Sequence, residues 1–174
     1  MESRRRDRAE DVRGVLAARM PGYRVGDVVF LGEGEDNTVH EVNGELIVRF
    51  GKDPDPVSRA LRVGREARLL TTVAALSPVP VPEPVFTVAE QGCLGYFGLP
   101  GVPLIDVPEP RRSAHGASIA ATLGELLRAL HGVPADSMTG LVGTDVQPDA
   151  LWLDEARETY AAVVPAVPRA YREP

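Results

Sequence analysis

Three sequence features, in a fixed order, could together hold the phosphates of a nucleotide. The glycine-rich segment 31–39 reads Leu-Gly-Glu-Gly-Glu-Asp-Asn-Thr-Val, Arg49 follows in a strand-like run, and Glu66 follows in a helix-like run. Backbone N–H groups beside Gly32 and Gly34 could approach phosphate oxygens because no Cβ stands in the way. A guanidinium can donate two parallel hydrogen bonds to phosphate. This order predicts the phosphate-binding half of a kinase-type nucleotide site.

Alternation along the predicted strand 45–50 indicates where Arg49 points. Side chains of a strand alternate between its two faces, and three alternate positions of this strand are apolar. If these three positions pack on the core, Arg49 points from the opposite face, where the glycine-rich segment folds over. The apolar positions are Leu46, Val48 and Phe50.

Glu66 is predicted to meet Arg49 from a long helix over residues 57–76. Helical spacing places Glu66 on the side of apolar residues three, four and seven positions further on. A carboxylate at the edge of an apolar stripe is costly without a partner, and Arg49 is the natural partner in a sheet-against-helix arrangement. We interpret Arg62 and Arg65, elsewhere on the helix, as solvated. The apolar residues of the predicted helix are Leu61, Leu69, Leu70, Val73 and Leu76.

The elements that must position these residues form a small antiparallel sheet with one long helix, a linker near residues 98–104 and a helical portion after it. Asn43-Gly44 joins two strand-like runs and predicts a tight hairpin, because both turn positions must adopt positive φ. Prolines exclude helix between 77 and 84. Predicted strands cover residues 28–31, 38–42, 45–50, 85–88 and 94–97, and predicted helices cover 7–20, 57–76, 119–130 and 149–163.

Composition and charge exclude several classes of protein. The chain has 174 residues, 44% of them hydrophobic, and a formal net charge of -6. We expect no nucleic-acid partner, because such binding depends on cationic contacts to phosphate. Cys93 is the only cysteine, so no intrachain disulfide can form. No apolar run approaches the roughly 18 residues that span a membrane, so we expect no membrane partner and a cytoplasmic location.

The order of the sequence blocks resembles that of the aminoglycoside phosphotransferase family, within the protein-kinase-like superfamily. The resemblance covers nearly the whole chain. It implies an α+β fold with a protein-kinase-like N-terminal lobe, an antiparallel sheet plus one long helix, over residues 1–98. A hinge and the first helices of a truncated helical C-terminal lobe would follow over residues 99–174. The blocks that carry the resemblance are 31–42, 46–50, 65–70, 79–84, 99–104 and 123–131.

The resemblance also implies the roles of particular residues. Segment 31–38 would cover the phosphates of ATP or GTP, Arg49 would take the place of the strand cation, and Glu66 would pair with it. The reaction implied is phosphoryl transfer to a small-molecule hydroxyl acceptor of the aminoglycoside kind, with magnesium. The nucleotide-binding residues implied in this way are Gly32, Gly34, Asn37, Arg49, Glu66, Phe97, Gly98 and Leu99, the last three forming the hinge beside the base.

One part of the family pattern is missing from this sequence. The family's catalytic loop pairs His-Gly-Asp with a later Asn, and a further Asp holds magnesium. Here the only asparagines are Asn37 and Asn43, and His115-Gly116 and His131-Gly132 are followed by Ala and Val. We therefore assign no catalytic or metal-binding residue in this chain and expect a truncated fragment that is inactive alone, with magnesium bound only once the C-terminal part is present.

Two other functions remain open at this point. The chain could be a non-catalytic nucleotide-binding or regulatory module built on a kinase-like scaffold, or an α+β domain with no nucleotide site. The apolar stripe 119–130 would need covering, so we also expect association into a homodimer or poor solubility. We place His40 in the second strand, over the expected nucleotide site, and interpret it as an edge residue. We interpret Cys93 as an inert residue of a glycine-flanked turn.

Overall fold

The β-strands that the structure describes form a five-stranded antiparallel sheet. The computed structural model describes residues 2–143 and 148–167. The strand order in the sheet is β1-β2-β3-β5-β4, and every neighbouring pair is antiparallel. The strands are β1 (Val28–Glu33), β2 (Asn37–Val42), β3 (Leu46–Gly51), β4 (Pro84–Val88) and β5 (Cys93–Phe97).

The described residues also form five α-helices, and the predicted α+β architecture is confirmed. They are α1 (Glu2–Arg19), α2 (Pro56–Leu76), α3 (Glu109–Ala114), α4 (Gly116–His131) and α5 (Asp149–Val163). Short 3-10 helices cover Ala89–Gln91, Leu104–Asp106, Ala135–Met138 and Val164–Ala166.

The hairpin between β2 and β3 turns at the predicted dipeptide. Asn43 and Gly44 both have positive φ, 55° and 71°, which matches the conformation that favours Asn-Gly in tight hairpins. Glu45 nevertheless lies outside the ladder, because Val42 pairs with Leu46. The connection is therefore one residue longer than a two-residue turn, and this shift sets which side chains of β2 face which side of the sheet.

One face of the sheet carries the core. Leu46, Val48 and Phe50 of β3 are almost fully buried, as predicted, and the N-terminal helix covers them. Because these three residues alternate along the strand, they define one side of the sheet, which we call the core face. The residues of α1 in this core are Val12, Val15 and Leu16.

Helix α2 lies against the opposite face, which we call the Arg49 face. The helix begins at Pro56 because the Asp55 carboxylate accepts hydrogen bonds from the N–H groups of Val57 and Ser58. Val63 is its buried residue, whereas Leu61, one of the apolar residues of the predicted helix, is 70% exposed.

The helical period explains why Val63 is buried and Leu61 is exposed. A residue three positions before Glu66 shares its side of the helix, whereas one five positions before it lies well round the axis. Val63 therefore packs where Glu66 reaches the sheet, and Leu61 turns to solvent.

The chain divides into two compact units, residues 1–142 and 143–174. The first contains the sheet and helices α1 to α4, and the second contains α5. Leu123 and Leu127 of α4 are about half exposed, as are Trp152 and Tyr160 of α5. The predicted division at residue 98 and the predicted homodimer stay predictions. Within the described part of the chain, no helix combines the length and apolar character needed to cross a membrane.

Cys93 is the first residue of β5 and is fully buried, so it does not lie in a turn as predicted. Desolvation in this position raises the pKa of the Cys93 thiol to about 12. An unfolded cysteine ionises near pH ~8.5. The folded state therefore loses stability relative to the unfolded state as the pH rises above that value, because only the unfolded thiol can ionise there.

We expect Cys93 to resist alkylation in the folded protein. Iodoacetamide at pH 8 should modify it slowly in buffer and rapidly in denaturant, because the thiolate is the reactive form and the folded site suppresses it. Mass spectrometry of the two reactions measures the difference. Equal rates with and without denaturant would show that the thiol is accessible and ionisable in the fold.

Candidate functional site

Arg49 of β3 and Glu66 of α2 form an ion pair on the Arg49 face of the sheet. The distance from Arg49 Nη1 to Glu66 Oε1 is 2.5 Å, and the two side chains are 24% and 35% exposed. The pairing predicted from alternation and helical spacing is confirmed. One side of the guanidinium is thus fixed by protein, while the partial exposure leaves the group accessible from solvent.

A row of paired residues leads from Arg49 across the sheet to the first glycine. Gly32 pairs with Val39, Val39 pairs with Arg49, and Arg49 pairs with Leu94 on its other side. Directly paired residues of neighbouring strands share a face and lie about 5 Å apart. Gly32 therefore lies roughly two strand spacings, about 10 Å, from Arg49, with one apolar side chain between them.

Glycine keeps this end of the row open. Neither Gly32 nor Gly34 has positive φ, and a Cβ built at either position would meet nothing within 4 Å. The absent side chains therefore leave space rather than permit an unusual conformation. The open space at Gly32 and the fixed guanidinium lie in one row on the same face of the sheet.

The glycine turn, which we define as residues 33–36, closes on itself. Gly34 N–H donates a hydrogen bond to the carbonyl oxygen of Asn37, with N and O 2.9 Å apart. This N–H is therefore already used within the turn. The last pair of the β1–β2 ladder before the turn is Glu33 with Thr38.

The predicted hinge, residues 97–99, leaves the sheet beside the Arg49 face. Gly98 follows the end of β5, and its N–H donates to the carbonyl oxygen of Glu45 at 2.7 Å. A Cβ at Gly98 would lie 3.7 Å from the side chain of Ile47. Ile47 is two residues before Arg49 in β3 and lies on the same face of the sheet, so the hinge passes close to this face. Phe97 and Leu99 are both exposed. The roles of these three hinge residues in base binding stay predictions.

Sequence reasoning missed two cations at the glycine turn. Lys52 Nζ lies 2.7 Å from Glu33 Oε1, and Arg62 Nη1 lies 3.4 Å from Asp36 Oδ1. Arg62 Nε also lies 3.4 Å from Asp53 Oδ2, so Arg62 is not simply solvated as predicted, although 60% of its side chain is exposed. The signal was the acidic character of the turn, which calls for nearby cations.

His40 does not lie over this site, so that prediction was wrong. It is 1% exposed on the core face, between the rings of Phe30 and Phe50 at centroid distances of 5.5 Å and 6.2 Å. A two-residue turn would pair His40 with Ile47 on the Arg49 face. The extra residue in the turn pairs it with Val48 instead and moves it to the other side.

The described residues do not form a cluster of side chains that could hold magnesium. In the ranges 2–143 and 148–167, no group of three or more His, Cys, Asp or Glu side chains is placed to hold a metal ion. Carboxylate and water oxygens are the ligands that magnesium prefers. Magnesium binding therefore stays a prediction.

Comparison with known proteins identifies the family. The model of the phosphotransferase enzyme family matches residues 27–173, which include the whole sheet and the ion pair. No match was found among curated proteins.

Solved structures share the fold. The GDP and kanamycin complex of APH(2")-IIia superposes with a TM-score of 0.63 at 22% identity, covering 93% of this chain and 55% of the other. The streptomycin–ATP–APH(2")-IIa ternary complex gives 0.57 at 15%, covering 90% and 51%. The macrolide 2'-phosphotransferase MphH from Brachybacterium faecium gives 0.58 at 26%, covering 93% and 57%. The chain spans little more than half the length of these relatives, and it has their kinase-like fold.

Proposed function

We propose, since the chain belongs to the phosphotransferase enzyme family, that its sheet and α2 bind ATP or GTP as the phosphate donor of a small-molecule kinase. The reaction is transfer of the γ-phosphoryl group to a hydroxyl of the acceptor. The observation that carries the proposal is the Arg49–Glu66 pair at 2.5 Å, in the same row of the sheet as the open space at Gly32.

The chain's own part in this reaction is positioning and charge. A phosphoryl-transfer transition state asks the protein mainly to hold the phosphates in line and to neutralise their charge. Glu66 fixes Arg49 so that little side-chain freedom is lost when the guanidinium meets phosphate oxygens. The base of the nucleotide would lie further along the Arg49 face, beside Ile47 and the hinge 97–99.

The acceptor is proposed from the relatives alone. Two of the related structures contain the aminoglycosides kanamycin and streptomycin, and a third relative is named as a macrolide phosphotransferase. We propose an antibiotic-like acceptor of this polyhydroxyl class, and the cytoplasm, where ATP and GTP are supplied, as the location. The sequence holds no His-Gly-Asp, so we propose that these 174 residues bind nucleotide without turning it over, magnesium being bound only with the family's catalytic segment.

Calorimetric titration of the purified chain tests nucleotide binding. ATP or GTP should bind, and the corresponding nucleoside should bind at least about tenfold more weakly, because charge-assisted contacts to phosphate contribute about 1.5–3 kcal/mol. A coupled kinase assay with kanamycin should show no turnover. Failure of both triphosphates to bind would overturn the proposed nucleotide site, and magnesium-dependent turnover would overturn the proposed inactivity.

A further inference from the structure

We propose that Lys52 is a positioning residue that holds the glycine turn in place over the phosphate site. The inference rests on the proposed function, because the turn matters for activity only if phosphates lie beneath it. Lys52 itself is not placed among the groups that touch the nucleotide. It follows directly after β3, three residues beyond Arg49, and is the only lysine of the chain.

Three contacts join Lys52 to the glycine turn. Its ammonium donates to Glu33 Oε1 at 2.7 Å and to the carbonyl oxygen of Gly34 at 2.9 Å. Its backbone N–H donates to the carbonyl oxygen of Asp36 at 2.8 Å. One residue thereby holds both ends and the middle of a four-residue turn. We call these contacts the Lys52 clamp.

The clamp acts from the side of the sheet opposite the proposed phosphates. Glu33 pairs with Thr38, and Thr38 pairs with Phe50, so Glu33 belongs to the core face. A cation bound to Glu33 therefore approaches the turn from behind and leaves the Arg49 face open. Lys52 can keep its contacts while a nucleotide enters, which separates its role from that of Arg49.

Charge explains why the turn needs a clamp. The turn carries three acidic residues, Glu33, Glu35 and Asp36, and a triphosphate is itself strongly anionic. Like charges at close range repel, so an unpaired acidic turn would bend away from the phosphates. Lys52 neutralises Glu33 at the back of the turn, while the weaker contact of Arg62 with Asp36, at 3.4 Å, lies at its other end.

Pre-ordering gives the clamp its effect on affinity. A turn that is already held loses less conformational freedom when ligand binds, and the ordering cost otherwise subtracts from the binding free energy. The Lys52 side chain is 34% exposed, so solvent screening limits each contact to a modest contribution. Because the turn is proposed to lie over the phosphates, the loss of affinity should be confined to ligands that carry phosphates.

The test compares Lys52→Met with Lys52→Arg and with Arg68→Met, a charge-matched control that removes an exposed cation of α2 outside the clamp. Calorimetry measures the affinity for ATP and GTP and for their nucleosides, and hydrogen exchange of the segment 31–38 measures the order of the turn. Lys52→Met should weaken triphosphate binding about fivefold and leave nucleoside binding unchanged. It should also speed exchange in the turn, and Lys52→Arg should restore both properties.

Three results would overturn the inference, and a fourth would overturn the proposed function alone. Triphosphate affinity within twofold of the original chain in Lys52→Met overturns the inference, and so does an equal loss for triphosphate and nucleoside, which would mark a general structural defect. An equal effect of Arg68→Met overturns it as well, because net charge alone would then be responsible. If the original chain binds no nucleotide but Lys52→Met speeds exchange in the turn, the clamp stands and the proposed function fails.

Discussion

Replacing Arg49 with methionine is expected to weaken ATP or GTP binding by about 30- to 100-fold, because hydrogen bonds to charged groups are worth roughly 2–3 kcal/mol where they are partly desolvated. The substitution removes the proposed phosphate ligand. It also leaves Glu66, 35% exposed, without its cation and near the anionic phosphates. Methionine keeps the length of the aliphatic stem, so we expect the variant to be accommodated beside its ladder partners Val39 and Leu94.

Titration calorimetry with the two triphosphates measures this loss, and thermal melting shows whether the fold survives. The matched control is Arg65→Met, which removes the exposed cation next to Glu66 in the sequence of α2. It should change the nucleotide affinity less than about twofold, as expected for an exposed charge. The affinity of Arg49→Lys should lie between those of the original chain and Arg49→Met, because lysine keeps the charge but lacks the paired donors of the guanidinium. Unchanged affinity in Arg49→Met would mean that the guanidinium does not contact the nucleotide.

Replacing Phe50 with alanine is expected to lower the free energy of unfolding by about 3–5 kcal/mol, the range for removing a buried phenylalanine ring. Phe50 is 1% exposed. Its ring meets that of His40 edge to face, at a centroid distance of 6.2 Å, and lies in the core beneath α1. The loss would be a large share of the ~5–15 kcal/mol that stabilises a typical domain.

Urea denaturation followed by circular dichroism measures the change. Leu61→Ala is the control, because this leucine of α2 is 70% exposed and its removal should cost less than about 0.5 kcal/mol. The difference between the two variants tests the orientation of both elements at once. A larger cost for Leu61→Ala than for Phe50→Ala would mean that α2 and β3 face the other way.

Alternation and helical spacing were sufficient to predict the Arg49–Glu66 pair. Each residue lies on an element whose apolar residues define one side, so the direction of the polar side chain follows from its position along the strand or helix. The Asn43-Gly44 turn was predictable for a similarly local reason, since few other residues accept positive φ.

The errors came from features that are not local. One extra residue in the β2–β3 connection reverses the faces of β2 and takes His40 from the Arg49 face to the core face, and no periodicity in the strand itself reveals that shift. Lys52 and Arg62 have long flexible side chains, and their partners in the glycine turn lie 18 to 26 residues away in sequence. Such contacts depend on the assembled sheet and helix.

A crystal structure of this chain with a non-hydrolysable ATP or GTP analogue tests the central claim most directly. The account predicts phosphate oxygens within hydrogen-bond distance of the Arg49 guanidinium, the Arg49–Glu66 pair intact, the glycine turn above the phosphates and the base beside residues 97–99. A nucleotide bound on the core face, or bound with Arg49 turned away from its phosphates, would contradict the account.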